Sequence, residues 1–389
     1  MGYVMELMDG LVPLQSLMDS FIEATDNQSE ENETPHIKDY IKQGGLRRRI
    51  RILCQLARTL NQLHSRGLLY GDISPDNIFV SDDSNYSEAW LIDCDNISIE
   101  SHCGLTVHTP DYGAPEVVRG EAMLSSLTDC WSFAVIAYQL LTHNHPLKGG
   151  FVNDSEPEVE DEALCGEHPW INDSDNSDNE CFTNLPIQLI ENSKLPSLFQ
   201  QTFGLGKVSA VARPSMSEWL EALTEVDERL FVCHECNGQT ILSLSNSDLE
   251  GASCFFCDSA IDENLVIFEE YIKVSEQEKQ DKYPELDGNI ISTERKICLQ
   301  IGDQKELKRL MPSFSYDKIP TDHIQVEYTD TMLIITPVEP LNISRGEDKI
   351  KEFKKKIPLK ITNRGNNNEP YRIHLGDPQL THTFWQFRW

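Results

Sequence analysis

Between Tyr70 and Asp95 the chain runs Tyr-Gly-Asp-Ile-Ser-Pro-Asp-Asn-Ile-Phe-Val, then a polar turn, then Ala-Trp-Leu-Ile-Asp-Cys-Asp. A carboxylate, a proline-constrained turn and an asparagine five residues on lead into one strand, and a second carboxylate ends the next. Such a hairpin brings Asp72, Asn77 and Asp93 to one edge, where oxygen donors can hold Mg2+ and its phosphates.

The flanking pattern is mostly helical. Ile50, Leu53, Leu56, Ala57, Leu60 and Leu63 recur at three- and four-residue steps and predict one long amphipathic helix from Ile37 to Arg66, closed by Gly67. Cys130 to Leu141 is apolar nearly all round and predicts a buried helix. Tyr3 to Met8 alternates as a short strand does. Gly149 to Ser193 contains no Lys or Arg, and its part up to Asn184 reads as a surface insertion. Within it, Asp173-Ser174-Asp175 imitates a calcium loop, but Asp178 and Asn184 stand where that loop needs glycine and glutamate, so no calcium site is expected.

The order of residues from Asp72 to Asp95 resembles the catalytic and metal-binding loops of protein kinases. Tyr112-Gly113-Ala114-Pro115-Glu116 matches the family's Ala-Pro-Glu element, and Asp129-Cys130-Trp131-Ser132 the start of its buried supporting helix. Arg213-Pro214 matches the late arginine that pairs with that glutamate, here Glu116. Val4 to Met8 is similar to the strand and hinge that hold adenine through backbone groups.

The resemblance implies ATP- and Mg2+-dependent phosphoryl transfer to protein Ser/Thr hydroxyls. Asp72 would be the catalytic base, Asn77 and Asp93 the Mg2+ ligands, and Glu6 and Met8 the adenine contacts. Asp129 would bond the catalytic-loop backbone. This chain departs from the family pattern at several points. Tyr70-Gly71 replaces His-Arg, Ser74 replaces a lysine, and Asp95 stands where the metal-binding loop has glycine. No Gly-rich loop or strand lysine precedes Met5, so the upper lobe is expected to be missing from this sequence. The alternative is a catalytically inactive pseudokinase scaffold that binds protein partners. The Gly-Asp-x-Ser-Pro loop, the Asp-x-Asp ending, His168-Pro169-Trp170 and the run from Phe199 to Trp219 resemble bacterial kinase-like proteins that carry zinc ribbons. That group implies signalling partners such as a phosphatase and a von Willebrand-type protein.

Cys233-x2-Cys236 and Cys254-x2-Cys257, seventeen residues apart, have the spacing of a closed structural Zn2+ site. Cys54, Cys130 and Cys298 read as small core residues. Beyond residue 290 short β-type runs separated by turn residues predict a small sandwich. The expected architecture is multi-domain α+β: a kinase-like hinge and mostly helical C-lobe (1–228), a zinc ribbon (229–264), a charged linker (265–290) and a β-sandwich (291–389). A net charge of −31 disfavours nucleic-acid binding. With no apolar run of membrane-spanning length and no secretory leader, the expectation is a cytoplasmic protein.

Overall fold

The computed structural model describes residues 9–19, 35–181, 184–243, 251–261, 265–308, 323–337, 340–345, 350–360 and 370–388. The strand expected at Tyr3–Met8, with Glu6 and Met8, lies outside them. The described chain is a multi-domain mixture of helix and strand, divided into two compact units. One comprises residues up to Leu242 together with Ser253–Ser259, the other most of the remainder.

In the first unit a small antiparallel sheet has the order β1 (Leu11–Pro13), β2 (Ile78–Ser81), β3 (Ala89–Leu91). Val12, Val80 and Ala89 pair across it on the core side, and Pro13, Phe79 and Trp90 on the outer side. The single helix expected from Ile37 to Arg66 is two, α1 (Pro35–Lys42) and α2 (Gly45–His64). Gly44 and Gly45 break it with φ of 94° and 58°, values that glycine adopts without Cβ strain. A Cβ on Gly44 would also stand 2.9 Å from the Ser84 carbonyl oxygen. Beyond the break α2 buries Leu46, Ile50, Leu53, Ala57 and Leu60 completely.

Helix α3 (Ser126–Thr142) begins at a capping box in which Ser125 and Thr128 satisfy each other's backbone N–H. It is buried on nearly every side because aromatic rings surround it: Trp131 against Phe203 at 5.3 Å, Phe133 against Trp219 at 5.6 Å and Tyr138 against Phe199 at 5.1 Å. The insertion is more than surface loop. It contains α4 (Pro157–Leu164) and buries Trp170 and Asn179, whose amide donates to the carbonyls of Leu147 and Pro169. Helix α5 (Met216–Arg229), started by a Ser215–Glu218 capping box, is tied to α2 by Arg51 and Asp227 at 2.9 Å.

Strands β4 (Leu230–Val232) and β5 (Gln239–Ile241) form a hairpin that belongs to this helical unit. Gln239 Oε1 accepts from the Arg47 N–H at the start of α2, and the Phe256 ring lies 6.3 Å from that of Tyr40.

The second unit holds two antiparallel sheets. Its strands are β6 (Val266–Lys273), β7 (Ile290–Leu299), β8 (Gln304–Lys308), β9 (His323–Tyr328), β10 (Met332–Pro337), β11 (Leu341–Arg345), β12 (Lys351–Phe353), β13 (Ile357–Lys360), β14 (Tyr371–Leu375) and β15 (His382–Arg388). One sheet has the order β8-β9-β10-β13 and the other β12-β11-β14-β15-β6-β7. Phe268, Ile297, Ile373 and Trp385 of one sheet share a core with Val326, Tyr328, Leu333 and Ile335 of the other. The segment expected as a charged linker over 265–290 is instead largely regular structure. Strand β6 is interior to the six-stranded sheet, paired on one side with β15 and on the other with β7. The charges that suggested a linker sit on the following turn and on a short helix, α6 (Glu276–Lys282).

Candidate active site and cysteine cluster

The loop from Tyr70 to Asn77 cannot form regular backbone pairs around Pro75, so its N–H groups need other partners. Asp129, 2% exposed near the start of α3, supplies them. Its Oδ2 accepts from the Tyr70 N–H at 2.7 Å and its Oδ1 from the Gly71 N–H at 2.9 Å, while His64 Nε2 lies 3.0 Å from Oδ2. The backbone-holding role expected of Asp129 is therefore present. Gly71 has φ of +89°, and a Cβ there would lie 3.2 Å from the Asn96 carbonyl oxygen. That crowding suits the glycine found at this position.

Asn77 reaches back across the turn, its Nδ2 donating to the Asp72 carbonyl at 3.0 Å and to Asp72 Oδ2 at 3.2 Å. This leaves the amide oxygen as the atom a cation could take. The Ile92 N–H donates to the Asn77 carbonyl, and the Tyr70 hydroxyl donates to the Ile92 carbonyl. Asp93 follows in left-handed backbone (φ 55°, ψ 67°), exposed and capping no N–H. Burial pushes the Tyr70 phenol well up from its usual value, and Cys94, Asp72, Asp93 and Asp129 add to the shift.

Sequence reasoning missed two members of this cluster. The Thr109 hydroxyl donates to Asp72 Oδ1 at 2.7 Å across 37 residues, and His64 joins Asp129 across 65. No local pattern marks either contact. The expected pairing of Glu116 with Arg213 is found, bidentate at 2.8 and 2.6 Å, with the Arg213 side chain wholly buried. Ser74 is buried and Asp95 exposed. Cys54, Cys130 and Cys298 are buried as expected, and burial pushes the thiols of Cys54 and Cys130 up to about 12.

In the cysteine cluster the sulfurs of Cys233, Cys236, Cys254 and Cys257 all lie within 4.8 Å of one another and could hold a metal ion. Each pair sits on a tight turn closed by a left-handed residue, Asn237 (φ 59°) or Asp258 (φ 57°). The Cys233 N–H donates to the Gly238 carbonyl and the Cys254 N–H to that of Ser259. The Gly238 and Phe256 N–H groups point at Cys236 Sγ and Cys254 Sγ, at 3.3 and 3.4 Å. Hydrogen bonding with the side chain and backbone of Ser259 lowers the Cys257 thiol to about 6.

The protein kinase domain family matches residues 21–222. The chain belongs to the protein kinase family. Its kinase region is 32% identical over 110 residues to the serine/threonine-protein kinase pkn2 of Myxococcus xanthus, covering 26% of this chain and 13% of that protein. It is 37% identical over 101 residues to protein kinase C delta type of Homo sapiens, covering 26% and 14%. Against CBL-interacting protein kinase 4 of Oryza sativa subsp. japonica it is 32% identical over 111 residues, covering 27% and 24%. The matched segment thus spans a quarter or less of each of these kinases. Among the described residues no helix is long and apolar enough to cross a membrane.

Proposed function

We propose that this chain is a protein serine/threonine kinase in which Asp72 receives the substrate hydroxyl and Asn77 and Asp93 hold Mg2+. One observation carries the reading: Asp72 already accepts a hydroxyl, that of Thr109, at 2.7 Å, while Asn77 braces its other oxygen. That is the distance at which a base orients a hydroxyl proton. Asp129 fixes the loop so that Asp72 does not reorganise when substrate arrives. MgATP, when bound, supplies the phosphoryl group and offsets its charge. The backbone of Glu6 to Met8 would carry the adenine.

The cysteine cluster fits structural Zn2+. Zn–S bonds of about 2.3 Å give a tetrahedron edge of about 3.8 Å. Cys233 to Cys257 and Cys236 to Cys254 both measure 3.6 Å between sulfurs. Four thiolates leave no open coordination position, so the metal's part is to hold the β4–β5 hairpin together. The ribbon and the C-terminal β-unit would recruit signalling proteins, such as a phosphatase or a von Willebrand-type protein.

A second reading is a non-catalytic scaffold. Ser74, buried where the resembled loop carries a lysine, favours it because no cation then faces the transferred phosphate. Thermal unfolding with and without millimolar MgATP separates the two. The kinase reading expects a Mg2+-dependent rise in Tm, since a ligand that binds the native state stabilises it. An unchanged Tm supports the scaffold.

A further inference from the structure

The second cysteine knuckle carries a ring into the helical unit. Phe256, between Cys254 and Cys257, packs on that unit's core, and its centroid lies 6.3 Å from that of Tyr40 in α1. The first knuckle makes room for the same ring, since a Cβ on Gly238 would collide with it. Phe256 therefore joins both knuckles to the lobe, and it keeps that place only while the four sulfurs stay together.

Tyr40 in turn covers a cation. The Arg49 guanidinium lies 4.2 Å over the Tyr40 ring, and Arg49 is 0% exposed. It donates to the Gly45 carbonyl and to Gln43 Oε1, both at 3.1 Å, and pairs with no carboxylate among the described residues. Burial lowers its pKa to about 10. His143, just past the end of α3, adds no charge: its ring lies 6.4 Å from that of Tyr40, and burial and Arg49 push its pKa down to about 2. A guanidinium so placed has exchanged water for neutral oxygens and a π-face, so an opening that readmits water relieves it.

The corner between α1 and α2 connects this cluster to the rest of the lobe. Gln239 of the β4–β5 hairpin accepts from the Arg47 N–H and donates to the Gly44 carbonyl at 3.4 Å. Arg48 donates to the Gln43 carbonyl and to the carbonyls of Ser81 and Tyr86 in the β2–β3 hairpin, which Asn77 and Asp93 flank.

We propose that the ribbon is a metal-operated latch on the helical unit: Zn2+ at the four cysteines seats Phe256 against Tyr40 and keeps the α1–α2 corner shut over Arg49, and loss of the metal opens it. The proposal rests on the Zn2+ reading of the cluster and adds what the metal controls.

The test follows amide hydrogen exchange in the whole chain, with zinc content read by a coloured chelator in the same samples. Stripping the metal should speed exchange at Lys38–Lys42 about tenfold, the order expected for losing a buried aromatic pair. Phe256→Ala should do the same at saturating zinc, because the sulfurs keep their positions. Coupling is reciprocal, so that variant should also bind zinc about tenfold more weakly in competition with the chelator. Arg49→Met should keep the corner shut after the metal is stripped, since methionine fills the space and leaves no cation to hydrate. Zinc binding with exchange in α1 that ignores the metal, or an Arg49→Met chain that opens as the native one does, would overturn the latch and leave the zinc site standing. A chain that binds no zinc would overturn both.

Discussion

Glu116→Ala and Arg213→Met should cost unequal amounts, although they break the same ion pair. The Arg213 side chain has no exposed surface, whereas Glu116 keeps 16%. The guanidinium also lies 4.9 Å over the Trp131 ring and donates to the carbonyls of Leu127 at 3.0 Å and Gly206 at 2.9 Å. Removing Glu116 strands a buried cation with carbonyl acceptors alone, which places the loss at about 4 kcal/mol within the usual range for a broken buried pair. Removing Arg213 leaves a carboxylate that water can reach, and methionine keeps some packing on Trp131, so about 2 kcal/mol is expected. The double variant leaves no buried charge and should cost about 3 kcal/mol, a coupling of about 3 kcal/mol. Because a chain of two units need not unfold in one step, the assay is native-state amide hydrogen exchange across Ser126–Thr142. Losses that add to within about 0.5 kcal/mol, or equal losses in the two single variants, would refute the reasoning.

Chelating the metal proposed at Cys233, Cys236, Cys254 and Cys257 should remove amide protection from β4, β5 and the start of α2, because Gln239 accepts from Arg47; unchanged exchange there would rule the site out. The β-unit should be acid-sensitive. The Ser344 hydroxyl, His374 and His382 form a chain of hydrogen bonds of 2.9, 2.9 and 2.8 Å that ends at the Leu380 carbonyl, which uses both imidazoles in the neutral form. Burial and the neighbouring His382 push His374 down to about 4, so the unfolded state binds more protons between about 6.5 and 4. About 1–3 kcal/mol of stability should be complete above 6.5 and disappear as the pH falls towards 4, and His374→Gln should flatten that dependence in a pH series of urea melts. Ser101→Asp, on an exposed turn, should leave kinase activity unchanged within about twofold, whereas Thr109→Glu should abolish it by setting a second carboxylate against Asp72. Activity retained by the Thr109 variant would remove Thr109 from the site.

Much of the helical unit was legible because its constraints are local or carried by rare residues. Asp129 near the head of an apolar helix, Glu116 after Ala-Pro, and Arg213 before Pro214 each occupy one position in a pattern, and the structure joins them as the pattern implies. The paired cysteines are legible for the same reason, since a two-residue gap closes a turn whatever surrounds it. Contacts between distant segments were not readable. Thr109 meets Asp72 only because the chain after Ile97 folds back beneath the loop, and no periodicity encodes that return. The false linker shows how composition misleads: the charges from Glu276 to Lys282 outweighed the β-branched and aromatic residues of Val266–Lys273, a strand interior to the six-stranded sheet. The predicted single helix failed at two adjacent glycines, where the 3.6-residue period continued past a backbone break.

The most direct measurement is transfer of radiolabelled phosphate from MgATP to a serine-containing acceptor, comparing the native chain with Asp72→Asn. The account predicts incorporation by the native chain and a loss of about 10²–10⁴-fold on removing the base. Equal rates for the two proteins, or no incorporation by the native chain, would contradict it.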